Sequence, residues 1–357
     1  MRYLSKLVVF TVVLTLLFGL SALGANKQTD VPLALEVAIE FALDSSIEYQ
    51  IAILNWENTE IDRKIQALQP VQTEEDRLRM ELANRQAERS LNNVLSNVVF
   101  SVTQDYFNLS KLERQVQLAK NQLALAEHDF NLVQRRVAMG ELPERDLARE
   151  ENRFASVRAS VVSAERGYQT GIDNFFFLLG MTTEWDSVTL ITEVPMIDFD
   201  LSLAESKTLA SEKNYDVWEQ AVNGKLAKIA LQKVMAQDPA PLVLQKAENN
   251  YKINQLNGIR AERSFDQKLV NDWYSLQDAQ RAVDAAEVDL ALAKQDYNLK
   301  TTQFDAGLLN KNQLIQSENG YLNAISTLND RKVSYLTAVW RYRADLGFPV
   351  WPFADGE

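Results

Sequence analysis

The chain has 357 residues, of which 46% are hydrophobic and 24% charged, so it can bury a core in two or three domains. Its net charge of −12 excludes the basic face of a nucleic-acid-binding protein. It has no cysteine and a single histidine, His128, which excludes disulfides, thiolate sites and histidine clusters. No sequence pattern indicates a catalytic site, a cofactor site or a metal site, so we expect a protein that is not an enzyme.

The first 25 residues have the pattern of a signal peptide. Arg2 and Lys6 precede an apolar run at residues 7–20, and the small residues of 21–25 follow it. The alternative is an uncleaved anchor, but the run is shorter than the roughly 20 residues that span a bilayer. The pattern therefore predicts export.

The segment 26–180 predicts two short helices, one very long helix and a return helix. Residues 35–69 have helical periodicity, with residues 44–46 as an N-cap that starts a second helix, and Pro70 ends it. No Gly or Pro interrupts residues 73–139, which predicts a helix of roughly 100 Å. Gly140 then turns the chain into a return helix over residues 144–179, which Gly180 ends.

The rest of the chain repeats this order after a linker at residues 181–201. Within the linker, the β-branched residues 187–192 predict a short strand or extended segment. In the segment 202–347, Pro239 and Pro241 open a helix that runs to Phe304, Gly307 turns the chain, and a return helix ends at residues 346–347. Residues 348–357 form a C-terminal tail.

A shift of 167 residues aligns the two segments without a gap over about 75 residues. Residues 105–109 meet 272–276, residues 123–126 meet 290–293, and residues 129–132 meet 296–299. Gly140 meets Gly307, and aromatic positions match as well. The chain is therefore predicted to be a two-fold internal repeat.

Both long helices carry apolar heptad seams. The first seam is spaced by three and four residues: Val116, Ala119, Leu123, Ala126, Phe130, Val133 and Val137. A second row lies well over 100° away and includes Leu118, Leu125 and Leu132, with Leu292 and Leu299 in the other repeat. A helix buried on two sides belongs in a sheet of helices or in the wall of a tube.

The predicted fold class is all-α: two tandem repeats of long antiparallel coiled-coil-like helices, with at most a short β segment in the linker.

This ordered set of features resembles the TolC-like outer-membrane efflux proteins. In the first repeat the resemblance rests on the leading segments 35–39 and 44–48 and on Gly140, Leu147, Tyr168 and residues 178–180. In the second repeat it rests on Gly307, Leu314, Tyr335 and residues 346–347. The resemblance implies a homotrimer that closes a tube of twelve helices. It also implies outer-membrane association, a periplasmic adaptor and an inner-membrane transporter as partners.

One feature departs from the family pattern. Family members carry a β-hairpin before each long helix, and these hairpins build a membrane barrel, whereas residues 69–73 here pass straight into the charged helix start at 74–77. Residues 235–242 contain a proline turn in the second repeat. We therefore expect the barrel strands to be missing, so that the chain does not itself span the outer membrane.

The resemblance also places a candidate tube entrance beside the two glycine turns. The family's acidic pore ring falls on Gln313 and Gln316, and its first-repeat partner falls on Asp146, with Arg145 beside it. The amides predict that the acidic ring is absent. A simpler interpretation is also open for these positions. Asp146 is then a first-turn acid that the helix dipole favours, and Gln313 and Gln316 are solvated surface residues.

Two functions remain open on this sequence. The first is a component of an efflux or secretion duct for small molecules or proteins. The alternative is a non-conducting rod or tether of the cell envelope, derived from such a duct. A third possibility, an adaptor with a helical hairpin, would need β-rich domains that the sequence does not offer.

Overall fold

The computed structural model describes residues 33–68, 73–181, 189–191, 194–197 and 199–351. The predicted signal peptide, Pro70 and residues 352–357 of the tail lie outside the described residues. The described residues form eight helices: α1 Leu35–Ser45, α2 Ile47–Ala67, α3 Glu74–Ala138, α4 Glu144–Leu178, α5 Leu203–Lys213, α6 Tyr215–Met235, α7 Pro241–Asp305 and α8 Lys311–Asp345.

Helix lengths agree between the two halves of the chain. The helices α1 to α4 have 11, 21, 65 and 35 residues, and α5 to α8 have the same lengths in the same order. The predicted long helices and return helices are present, with ends within two residues of the expected positions. At 1.5 Å per residue each long helix extends for roughly 100 Å.

Local capping chemistry sets where these helices begin. Ser46 accepts a hydrogen bond from the backbone N–H of Tyr49 and starts α2, as the sequence predicted. Thr73 starts α3 through a capping box, in which its hydroxyl accepts from the N–H of Asp76 and the Asp76 carboxylate accepts from Thr73. Helix α7 instead begins with Pro241, whose missing N–H costs nothing in a first turn.

The helices pack as four neighbouring columns. Helices α2 and α4 both pack on α3 and form the first column, and α3 is the second. Helices α6 and α8 form the third column because both contact α3 as well as α7, which is the fourth. The second and third columns therefore have packing partners on both sides, whereas the first and fourth are the lateral edges of a single chain.

The chain turns at two opposite ends of these columns. We call the end with the turns α3–α4 and α7–α8 the glycine end, since Gly140 and Gly307 lie there with φ of 78° and 73°. The other end, where α2 meets α3 and α6 meets α7, is the proline end. An ion pair between Lys233 and Glu75 joins α6 to α3 there.

Two apolar clusters form the core. One joins α1, α3 and α4 and includes Tyr106, Ile172 and Phe175, all at most 1% exposed. The other joins α5, α7 and α8 around Leu269 and Leu346. Trp340 of α8 belongs to the first cluster, so the second half of the chain contributes to the core of the first.

The linker is anchored to the first cluster by backbone pairing. Only 189–191 of the predicted extended segment 187–192 are described, and there Leu190 forms an isolated parallel bridge with Leu33. The Tyr106 hydroxyl donates to the carbonyl of Leu33 and accepts from the N–H of Ile191 at 2.9 Å. Burial raises the pKa of Tyr106 to about 12. In the described part of the chain, this bridge is the extent of β structure.

Candidate functional site: the glycine end and the lateral edges

The candidate entrance residues Arg145 and Asp146 lie in the first turn of α4. Asp146 Oδ1 is 3.8 Å from Arg145 Nε and 3.8 Å from Arg149 Nη1, so both ion pairs stay within one helix. Arg145 is 82% exposed and free to meet another molecule. The arrangement is that of a first-turn acid beside a helix N-terminus, with an exposed cation at its side.

Gln313 has a structural role that the sequence analysis missed. Its side-chain oxygen accepts from the N–H of Asn310, while the Asn310 side chain accepts from the N–H of Gln313 at 2.9 Å. This capping box starts α8. The signal was readable as Asn-x-x-Gln after Gly307. Gln316, one turn later, is exposed.

The four candidate entrance residues do not form one cluster within a single chain. Among the described residues no hydrogen bond or ion pair joins Arg145 or Asp146 to Gln313 or Gln316. Contact between the two hairpins at this end runs instead through Asn312, whose amide lies 3.3 Å from His128 Nδ1 and 3.5 Å from Asp129 Oδ1. His128 is half-exposed and lies at this junction.

Polar groups continue along the seam between α3 and α8 from this junction as far as Lys111 and Asp330. Asn121, which is 8% exposed, accepts from Gln117 and donates to Asn319 at 2.9 Å. Further along, Lys111 pairs with Asp330 at 2.9 Å. Inside each hairpin, aromatic rings stack near the glycine end, for example Phe130 on Phe154 and Tyr297 on Tyr321. The two halves of the chain are thus joined by polar contacts towards the glycine end and by apolar ones further along, where Trp340 stacks on Phe100.

The second apolar row of the long helices behaves differently in α3 and α7. In α3, Leu118 and Leu125 are half-buried, because α8 packs beside them. In α7, Leu292 and Leu299 are 59% and 54% exposed, since no column of the same chain covers that side. Leu132 of the same row in α3 is 45% exposed, so the two-sided burial that the heptads predict is partial in α3 and absent at these positions of α7.

The opposite lateral edge carries a matching apolar stripe on α2. Its members recur at heptad spacing and are all at least half exposed: Ile47, Ile51, Leu54, Ile61, Ile65 and Leu68. The corresponding side of α6 is covered, because α6 lies between α3 and α7. Among the described residues, most exposed large apolar side chains lie on α2 or α7.

Charge also differs between the two edges. Helix α2 has four acidic and two basic side chains, a balance of −2: Glu48, Glu57, Glu60, Asp62, Arg63 and Lys64. Residues 241–268 of α7 have five basic and three acidic side chains, a balance of +2: Lys246, Lys252, Arg260, Arg263, Lys268, Glu248, Glu262 and Asp266. Residues 241–268 of α7 are therefore complementary in charge to α2, whereas α7 as a whole has eight basic and ten acidic side chains, a balance of −2.

None of the helices in the described part of the chain is both long enough and apolar enough to cross a membrane. No protein-family model matches the chain. No curated protein matches it in sequence.

Comparison with solved structures identifies the fold. The outer-membrane protein VceC from Vibrio cholerae matches with a TM-score of 0.56 and 14% identity, over 88% of this chain and 96% of that chain. CusC, described as forming a transmembrane channel, matches with a TM-score of 0.58 and 12% identity, over 92% and 96%. The MtrE outer-membrane channel from Neisseria gonorrhoeae gives 0.53 and 15%, over 88% and 89%.

The chain has the TolC-like fold. The predicted all-α fold class is confirmed, together with the predicted resemblance at the level of structure. At these identities the likeness defines the arrangement of the helices. The function of the chain is proposed below from the lateral edges and the glycine end of its own structure.

Proposed function

We propose that the chain is a component of a TolC-type export duct, in which copies pack side by side into a closed periplasmic tube. The observation that carries the proposal is the pair of lateral edges. Apolar side chains of α2 and α7 stay exposed in one chain, and the net charge of α2 is opposite in sign to that of residues 241–268 of α7. The edge of one copy thus fits the opposite edge of the next.

The assembly that follows is a homotrimer. An edge-to-edge contact is heterologous, so it must close into a ring or continue as an open array. Each chain supplies four columns, and three chains supply the twelve columns of the tube that the resemblance implies. The matching helix lengths of the two halves support closure, because every column then has the same length.

The glycine end is the proposed entrance and the docking end for an adaptor and an inner-membrane transporter. Exposed Arg145 beside Asp146 offers charged contacts there, and Gln316 offers an exposed amide. The cargo would be small molecules or proteins, and the location the periplasm and outer membrane of an exporting cell.

A second candidate is a non-conducting rod or tether of the cell envelope. The direct turn between α6 and α7 favours it, because only the five residues 236–240 separate these two helices. The same lateral edges would then join copies into a solid bundle.

The test of the duct is a transport assay with a matched pair of variants. In cells lacking the gene, the native chain should restore resistance to several toxic compounds, while Leu292→Glu with Leu299→Glu on the α7 edge should not. Leu308→Glu, at an exposed position of the glycine end outside the edges, controls for an added charge. Loss of the gene without any change in sensitivity would contradict the duct and favour the tether.

A further inference from the structure

Where α5, α7 and α8 meet, a single ammonium group serves two carboxylates. Lys268 Nζ donates to Asp272 Oδ2 at 2.8 Å, one turn along α7, and also donates to Asp345 Oδ2 at the end of α8. The Asp345 side chain is only 23% exposed. When all three groups are ionised they sum to −1, so this half-buried place holds one negative charge that no cation balances.

The neighbouring elements bring no further charge to this cluster. Residues 90–103 of α3, which lie level with the end of α8 because Phe100 stacks on Trp340, contain no ionisable side chain. The charged groups of α5 and α8 that the structure describes beside the cluster make other contacts: Glu205 with Ser202, Lys207 with Asp266, Lys213 and Arg343 with the ring of Phe348, and Arg341 with the ring of Phe100. The charged groups that act on Asp345 are therefore Lys268 and Asp272, with the Tyr342 hydroxyl as a titratable neighbour.

The environment of Asp345 favours its protonated form. Burial raises the pKa of this carboxyl above its usual value, the Lys268 ammonium opposes the shift only in part, and Asp272 adds to it. Once protonated, Asp345 can donate to Asp272, and the single charge of Lys268 then balances a single carboxylate. The closed junction thus binds a proton more tightly than an opened one, in which the carboxyl is in water. The stability gained is complete below the ordinary pKa of 3.8 and is lost as the pH rises through the raised value.

The first half of the chain has no equivalent cluster. A shift of 167 residues places Ser101, Asp105 and Leu178 at the positions of Lys268, Asp272 and Asp345. Burial raises the pKa of Asp105 as well, but no ion pair joins it to another described residue. A proton-sensitive group shared between two helices is thus a property of the second half alone.

Helix α5 is attached to this junction by few buried side chains. Of its described side chains only Ser206 and Ala210 are buried, whereas α1, of the same length, buries five: Leu35, Ala38, Ile39, Ala42 and Leu43. The hydroxyl of Ser206 lies beside that of Tyr342, which in turn senses the charge of Asp345. With so little apolar burial, the charge state of the cluster contributes a large share of what holds α5 in place.

We propose that Asp345, together with Asp272 and Lys268, forms a proton-sensitive junction that holds α5 and the end of α8 against α7 more firmly at acidic than at neutral pH. Acidification then stiffens the second half of the chain and leaves the apolar junction of α1 in the first half unchanged. This device is independent of whether the assembly conducts.

Hydrogen–deuterium exchange of the mature full chain between about pH 7.5 and pH 4.5 tests the proposal. The measured quantity is the protection factor of the amides of α5, which corrects for the pH dependence of chemical exchange. In the wild type it should rise about threefold or more on acidification, while the amides of α1 serve as the internal reference and should not change. An unchanged or falling value in α5, or an equal rise in α1, would overturn the proposal, and this comparison needs no variant.

Two variants and a matched control show which group takes the proton. Asp345→Asn imitates the protonated carboxyl, so at pH 7.5 its α5 should already have the protection that the wild type reaches in acid. Lys268→Met removes the opposing cation and should move the midpoint of the change to higher pH by about one unit or more. Asp105→Asn neutralises the half-buried acid of the first half and should keep the response of the wild type.

The Asp345→Asn result separates this junction from an ordinary ion pair. If the variant lowers the protection of α5 at pH 7.5, the pair of Lys268 with Asp345 holds the junction and the proposal is wrong. A midpoint that moves to lower pH in Lys268→Met, or a response abolished by Asp105→Asn, would contradict it as well.

Discussion

At the scale of single residues, the glycines that follow the return helices show how closely the elements approach. Gly180 has φ of 72°, and a Cβ placed there would lie 2.4 Å from the Cβ of Ser45 at the end of α1. Gly347 has the equivalent position in the other half, where a Cβ would lie 2.9 Å from the Cβ of Lys213 at the end of α5. Both positions need the left-handed conformation and the space that only glycine leaves.

A comparison of alanine substitutions at Gly140 and Gly180 separates the cost of backbone strain from the cost of steric crowding. Gly140→Ala meets no atom within 4 Å, so only the positive φ is penalised, and about 1 kcal/mol of unfolding free energy should be lost. Gly180→Ala has the same φ penalty and also displaces Ser45, so it should lose about 2–4 kcal/mol. Urea unfolding of both variants gives the comparison, and equal losses would contradict the close approach.

Tyr106 predicts a pH dependence with a definite sign. Its pKa in the folded chain, about 12, lies above the ordinary value of 10, because burial disfavours the phenolate. The folded state therefore holds this proton more tightly than the unfolded state. The associated stability is present below pH 10 and is lost as the pH rises towards 12.

The measurement for Tyr106 is a difference between two proteins. Tyr106→Phe should cost about 1–3 kcal/mol at pH 8, because the N–H of Ile191 loses its hydroxyl partner. The gap between wild type and variant should narrow as the pH rises above 10. Burial also raises the pKa of Tyr168 and Tyr342. Their contributions to the free energy of unfolding are the same in wild type and variant, so they cancel when the two proteins are compared. A gap that stays constant up to pH 11 would argue against the buried hydroxyl.

At the scale of elements, the seam between α3 and α8 combines burial with polarity. Asn121→Leu leaves the Asn319 amide without its partner and should cost about 1–3 kcal/mol of unfolding free energy. The double variant Asn121→Leu, Asn319→Leu should recover most of that loss, because both polar groups are replaced by apolar ones. A double-mutant cycle by thermal unfolding measures the coupling. Additive losses would mean that the two amides do not interact.

The elements also show what the sequence can and cannot predict. Helix ends were predictable within two residues, because Gly140, Gly180, Gly307 and the prolines mark them in the chain. The placement of α6 between α3 and α7 was not predictable. A heptad pattern shows that one side of a helix is apolar, but it does not show which helix covers that side.

At the candidate entrance, too, contacts between residues close in sequence were predictable and contacts between distant residues were not. The capping box of Asn310 with Gln313 could have been read from the sequence, since its chemistry is local. The contact of His128 with Asn312 could not, because 184 residues separate them and no pattern joins them. The role of Arg145, Asp146, Gln313 and Gln316 at a tube entrance stays a prediction.

At the scale of the whole molecule, one chain is an open row of four columns with two unmatched edges. Burying apolar surface contributes roughly 25 cal/mol per Å². The exposed stripes of α2 and α7 therefore supply a driving force for assembly that the single chain cannot use. The opposite charge of α2 and of residues 241–268 of α7 favours the pairing of these two segments.

Edge variants should weaken assembly without unfolding the chain. Leu292→Glu with Leu299→Glu places charges on the exposed apolar side of α7 and should raise the dissociation constant of the assembly by at least tenfold. Sedimentation velocity over a range of concentrations measures it, with Leu308→Glu as the matched surface control. The helical signal should stay unchanged in both proteins, since all three positions are exposed in one chain.

The central claim is that three copies close a hollow tube by pairing the α2 edge of one chain with the α7 edge of the next. Electron microscopy of the purified mature protein tests it most directly through end-on projections. We expect a ring of twelve columns with three-fold symmetry around an open centre. A solid rod, or particles with the mass of one or two chains, would contradict it.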